Sequence, residues 1–141
     1  MQRIDRARLD RADGLVFEVP TRFDDLDVQG HVNNAAAIVL LQEARAHFNK
    51  AVDLAALHDG LRVLVAALSV EYAGEMRHPG AVTFTTGVLA IGRSSITLGQ
   101  AGRQDGTPKL YAETVLVLAD KDGPVAIPDA LRGAYARHMI A

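Results

Sequence analysis

The 141-residue chain contains no cysteine, which rules out disulfides, thiolate metal sites and a cysteine nucleophile. The absence of disulfides fits a reducing compartment. Neither sign of charge dominates. The formal net charge is −2, and a general nucleic-acid binder would carry a basic face. A phosphate-bearing small ligand remains open, because it needs only a few local Arg or Lys side chains. No apolar run approaches membrane-spanning length, the longest being Ala35 to Leu41. The opening MQRIDRARLDRADG alternates charges and lacks the apolar segment of a secretory signal. The expectation is a cytoplasmic, soluble protein with neither nucleic acid nor membrane as partner.

Several chemistries are missing as motifs. The five histidines show no spacing of the His-Glu-x-x-His kind, so no metal site is expected. Walker and dinucleotide glycine patterns are absent. Gly92-Arg93-Ser94-Ser95-Ile96 lacks the second glycine of a nucleophile elbow, which argues against a Ser-His-Asp hydrolase. Asp25-x-Asp27-x-Gln29-Gly30 imitates the start of an EF-hand loop, but its twelfth position is Ala36 rather than glutamate, so the calcium reading fails.

What is present describes one globular domain with a real core, since hydrophobic residues make up 49% and charged residues 23%. Residues 1–14 read as a polar N-terminal arm or short surface helix, and residues 15–141 as a single domain. Leu15 to Arg22 alternates as a strand, with Pro20 marking an edge or an end. Asn33 offers an N-cap for a helix over Ala35 to Phe48. The first half of that helix is apolar all round and must be wrapped by other structure. Ala51 to Gly60 is a short helical or irregular connection.

Arg62 to Tyr72, Ala81 to Ile91, Ser95 to Arg103 and Lys109 to Ala119 are β-rich runs between glycine-containing turns. They predict an antiparallel meander, followed by a short helix over Ala130 to Met139. The fold class is α+β, a curved antiparallel sheet wrapped around a central helix. An exposed sheet edge in such an arrangement favours oligomers.

The segment Thr21 to Phe48 carries the chemistry. Asp27 stands just before Gly30-His31-Val32-Asn33-Asn34, so a carboxylate lies close to the amino end of the helix. Unpaired N–H groups and the helix dipole make such an end an anion site. A carboxylate facing amides that hold an oxyanion suffices for acyl transfer. On spacing alone, Asp24, Asp25 and Asp27 are equally an acidic turn placed near a helix start.

These residues resemble the hotdog-fold acyl-CoA thioesterases of the 4-hydroxybenzoyl-CoA thioesterase superfamily. The matching elements are Arg22, Asp25, Asp27, Gly30-His31-Val32-Asn33-Asn34 and Glu43-Ala44-Arg45. Downstream, Ser69-Val70-Glu71-Tyr72, Arg77-His78-Pro79-Gly80, Ile91-Gly92-Arg93-Ser94-Ser95 and Ile127-Pro128 follow in the family's order. The resemblance covers nearly all of the chain after residue 15.

It implies that Asp27 is the catalytic carboxylate, attacking a thioester carbonyl or activating a water. It implies that the Asn34 backbone N–H holds the oxyanion and that Gly30 allows the tight turn between them. His31 would orient Asp27, contact substrate, or only bond the loop backbone. Asn33 is a helix cap or a substrate contact. Glu43 either lines the site, pairs with Arg45 or faces solvent. Arg93 and Ser94 would contact the pantetheine or phosphates of CoA, while Arg77, His78, Arg103 and Lys109 read as ordinary turn or strand-end residues.

The implied partner is an acyl-CoA, bound beside the helix at a subunit interface of a homodimer or homotetramer. No cofactor is implied beyond CoA itself as part of the substrate. Relatives usually carry an aromatic where this chain has Ala37, leaving room for a bulkier acyl group or merely close sheet–helix packing. The alternatives are an acyl-carrier-protein thioesterase and a non-catalytic acyl-CoA or lipid-binding hotdog protein.

Overall fold

The computed structural model describes residues 3–141, so Met1 and Gln2 of the arm lie outside the described residues. Strand β1 spans Leu15–Pro20, and helix α2 spans Asn34–Ala51 after a short α1 at Arg6–Asp10. A single turn, α3 (Leu54–Leu57), leads into the strands β2 (Arg62–Tyr72), β3 (Ala81–Ile91), β4 (Ser95–Gln104) and β5 (Thr107–Asp120). A two-residue β6 (Gly123–Pro124) and helix α4 (Asp129–Ala136) complete the order.

All long strands pair antiparallel in one sheet ordered β1-β3-β4-β5-β2, with β6 beside β5. This corrects the expected four-strand meander. Strands β3 to β5 do form one, but β2 pairs with the far edge of β5 rather than with β3. The reason lies in the connection 73–80. It crosses the sheet instead of turning back, anchored by buried Met76, whose carbonyl accepts from the Val32 N–H at 2.9 Å.

Helix α2 lies on one face of the curled sheet, the hotdog arrangement that the resemblance implied. Ala37, Leu40, Leu41, Ala44 and Phe48 recur at helical spacing and are buried against it. Each large side chain among them contributes about 1.5–3 kcal/mol. The helix is not wrapped on every side, however. Val39 is 48% exposed, because the sheet covers only one face.

The opposite face receives the N-terminal segment, where Ile4 and Leu9 are buried with Ala101, Tyr111 and Ile140. Asp5 caps α1 by accepting from the Arg8 N–H at 3.0 Å. The last helix ends at Ala136, short of Met139. The chain turns there and hydrogen-bonds Val88 through His138 and Ile140, which trades helical turns for pairing with β3.

Candidate active site

The site begins where β1 ends. The N–H of Thr21 donates to the Gly80 carbonyl at 2.9 Å, which fixes the chain entering the acidic turn. Phe23–Asp25 then forms one 3-10 turn closed by two bonds from Arg22 to the Asp25 carboxylate: the Arg22 N–H donates to Oδ2 at 2.8 Å, and the guanidinium donates to Oδ1 at 2.9 Å. Burial pushes the Asp25 carboxyl up, but the Arg22 hydrogen bonds and charge outweigh it and hold the group below the usual carboxylate range. The Asp25 carbonyl accepts from the Asn33 N–H at 2.7 Å, so this turn also sets where the helix starts.

Between these anchors, Leu26 bridges Val32 and the Asp27 N–H donates to the His31 carbonyl at 2.8 Å. The result is a miniature hairpin with the three-residue loop Val28–Gly30. Gly30 has φ +81°, the left-handed conformation that such loops place on glycine. Asp27 Oδ1 accepts from the N–H groups of Gln29 and His31, at 2.9 and 3.2 Å. Its Oδ2 has no protein partner among the described residues. The carboxylate is thus oriented through one oxygen while the other is available.

Asn33 caps α2 by accepting from the Ala35 N–H at 2.8 Å. The N–H of Asn34, first residue of the helix, has no partner among the described residues, as expected of an uncapped first-turn donor. Asp27, His31, Asn34 and the buried Ala37 share one pocket of about 370 Å³ with Tyr72 and Glu75. The His31 Nε2 lies 3.1 Å from Glu75.

Tyr72 and Glu75 carry no sequence signal as site residues, since the pairing of β2 and the crossing segment alone bring them here. The Tyr72 hydroxyl donates to the Asn34 carbonyl at 2.9 Å, and burial pushes its pKa up, so it stays a donor. Gly30 is at the exposed hairpin tip, and Asn33 acts as the cap.

Arg93 and Ser94 are placed elsewhere. They form the turn after β3, whose 11 residues put that turn roughly 35 Å from the site end of the strand. Their carbonyls accept from Ile127 and Leu118 there. Within this chain they do not meet Asp27. Glu43 is solvent-exposed, while Arg45 turns inward with Nη1 3.5 Å from Thr114 Oγ1, so the two do not pair. Among the described residues, no three His, Asp or Glu side chains converge as a metal set, and no helix is long and apolar enough to cross a membrane.

Residues 21–135 match the thioesterase-like superfamily. A predicted thioesterase from Bacillus stearothermophilus superposes with a TM-score of 0.79 at 25% identity, covering 88% of this chain and 95% of that one. A thioesterase from Thermus thermophilus, complexed with coenzyme A and Zn, gives a TM-score of 0.78 at 27% identity over 86% of this chain and 91% of its own. The uncharacterized protein YsmA of Bacillus subtilis is 24% identical over 111 residues, covering 78% of this chain and 76% of YsmA.

Proposed function

Because the chain belongs to the thioesterase-like superfamily, we propose that it hydrolyses an acyl-CoA thioester to the free acid and CoA, with Asp27 as the reacting carboxylate. The observation that carries this reading is the free Oδ2 of Asp27 in the same pocket as the unpartnered Asn34 N–H. A relative complexed with coenzyme A supports the substrate class.

In this reading the thioester carbonyl sits between the two groups, its oxygen towards Asn34. Asp27 adds to the carbonyl carbon, or removes a proton from a water that does so. Negative charge then develops on the carbonyl oxygen, where the Asn34 N–H and the helix end favour it. Collapse of the tetrahedral species breaks the C–S bond, and the CoA thiolate departs and takes a proton. Direct attack leaves an acyl-Asp27 anhydride, which water then hydrolyses. No resident cofactor is assigned to these steps. His31, tied to Glu75, lines the wall of the pocket, and the small Ala37 leaves space beside the acyl group.

We assign the working form as a homodimer, built on the free edge strand. Leu64, Val65 and Leu68 on β2 are 44%, 51% and 37% exposed. An unpaired apolar edge of that length is a template for a second strand. Val39 on the uncovered face of α2 is a further exposed apolar side chain, at 48%. Arg93 and Ser94 would then reach a substrate only from a second copy.

The deciding experiment is thiol release from a panel of short, long and aromatic acyl-CoAs by the wild type and Asp27→Asn. Turnover that drops by at least about a hundredfold in the variant is the expected result. Activity that survives the substitution would place the chemistry on another residue.

A further inference from the structure

The catalytic pocket is rimmed by Tyr72 and Gly74 at the end of β2, and Tyr72 also lines a second groove of about 590 Å³ with Arg3, Ile4, Arg6 and Glu71. This groove lies on the outer face of the sheet, where the N-terminal segment docks and the Arg6 guanidinium sits 5.2 Å above the Tyr111 ring. Four cations gather at this end of that face. Arg6 is committed to Glu71 at 2.7 Å, and the other oxygen of Glu71 accepts from the Ile4 N–H at 2.8 Å. Arg103 is committed to Asp10, which also accepts from the Tyr111 hydroxyl.

Arg3 and Lys109 have no carboxylate partner of their own among the described residues. Arg3 faces Glu71, which already accepts from Arg6 and from the Ile4 N–H, so Arg3 shares that carboxylate rather than owning it. The Lys109 side chain stands beside Gly74 at the pocket rim: a Cβ added to Gly74 would lie 3.5 Å from its Nζ.

CoA has the matching division of charge. Its pantetheine arm is neutral and its nucleotide end carries the phosphates, so a thioester held at Asp27 sends its anionic end out of the pocket. We propose that Arg3 and Lys109 receive the nucleotide phosphates of CoA on the outer face of the sheet, with the pantetheine arm crossing the Tyr72–Gly74 lip. The inference rests on the thioesterase reading and moves the phosphate contact from Arg93 and Ser94 to the N-terminal segment and the start of β5. Arg6, held in place by Glu71, adds field without being the primary contact.

The test compares an acyl-CoA with the same acyl-pantetheine, which lacks the nucleotide, on the wild type and Arg3→Ala/Lys109→Ala. The expected result is a three- to tenfold rise in KM for the acyl-CoA (about what two exposed charge contacts supply), shrinking as salt is raised. KM for the acyl-pantetheine is expected to hold. An unchanged KM for acyl-CoA, an equal rise for both thioesters, or a loss seen only with an acyl-carrier protein would overturn the proposal.

Calorimetric titration with CoA separates this outcome from the fate of the hydrolytic reading. CoA that binds the wild type and binds the variant more weakly upholds the phosphate site even if no thioester is hydrolysed. Equal binding by both removes the site whatever the turnover.

Discussion

Asp25→Ala is the substitution that most directly tests whether the acidic turn organises the site. Asp25 is only 3% exposed and touches no substrate in the proposed reaction. It accepts from the Arg22 N–H at 2.8 Å and from the Arg22 guanidinium at 2.9 Å. A hydrogen bond to an ionised acceptor is worth about 1.5–3 kcal/mol. The guanidinium side chain is 60% exposed, so its contact adds less than about 1 kcal/mol. Removing the carboxylate also relieves the cost of burying a charge, which offsets part of the loss, and the net is about 2 kcal/mol.

For a domain of this size that lowers Tm by roughly 6 °C, measurable by scanning calorimetry. The pH dependence has a definite sign. The folded-state pKa of Asp25 is depressed, so its stabilisation is complete above the ordinary value of about 3.9 and fades as pH falls through the folded value. The Tm gap between wild type and variant is therefore full at neutral pH and narrows in acid. Because the Asp25 carbonyl also fixes Asn33, thioester turnover is expected to fall with stability. A Tm loss under about 2 °C at neutral pH, or a gap that does not narrow in acid, would refute the reasoning.

Tyr72→Phe removes the bond to the Asn34 carbonyl and is expected to lower turnover by about fivefold, equivalent to roughly 1 kcal/mol, with Tm nearly unchanged. An unaltered kcat would show that the helix end needs no such tether. Leu68→Lys puts a charge on the free edge of β2, and sedimentation is expected to show monomer where the wild type shows dimer. Two glycines should respond in opposite directions in urea unfolding. A Cβ at Gly14 would press into the backbone carbonyl of Thr86, so Gly14→Ala is expected to cost about 2–3 kcal/mol. A Cβ at Gly133 meets nothing within 4 Å inside α4, so Gly133→Ala is expected to stabilise by about 0.5–1 kcal/mol.

Strands β2 and β3 run over the residues that alternation and flanking glycines mark out, 62–72 and 81–91. Helix α2 starts at the residue after its Asn33 cap, one position before the sequence reading places it. These are local properties, decided by backbone propensity and the nearest turn residues. Pairing is not local. Nothing in the 73–80 segment announces that it crosses the sheet to leave β2 on the far edge, since that depends on Met76 finding the core beneath the active-site hairpin. The charged N-terminal arm hides two apolar anchors, Ile4 and Leu9, whose spacing is too short to read as an amphipathic helix.

The candidate site divides along the same line. Asp27, Gly30, His31, Asn33 and Asn34 lie within eight residues, and their chemistry follows from order along the chain: a turn, a carboxylate, a cap and a helix start. Short-range geometry brings them together, and the Met76 and Gly80 carbonyls only pin the segment in place. Tyr72 and Glu75 are 38 or more positions further along than Asn34, and only the pairing of β2 and the crossing segment after it set them around that nucleus. The same pairing carries Arg93 and Ser94 to the opposite end of β3, because an extended strand moves every residue it adds further from its start.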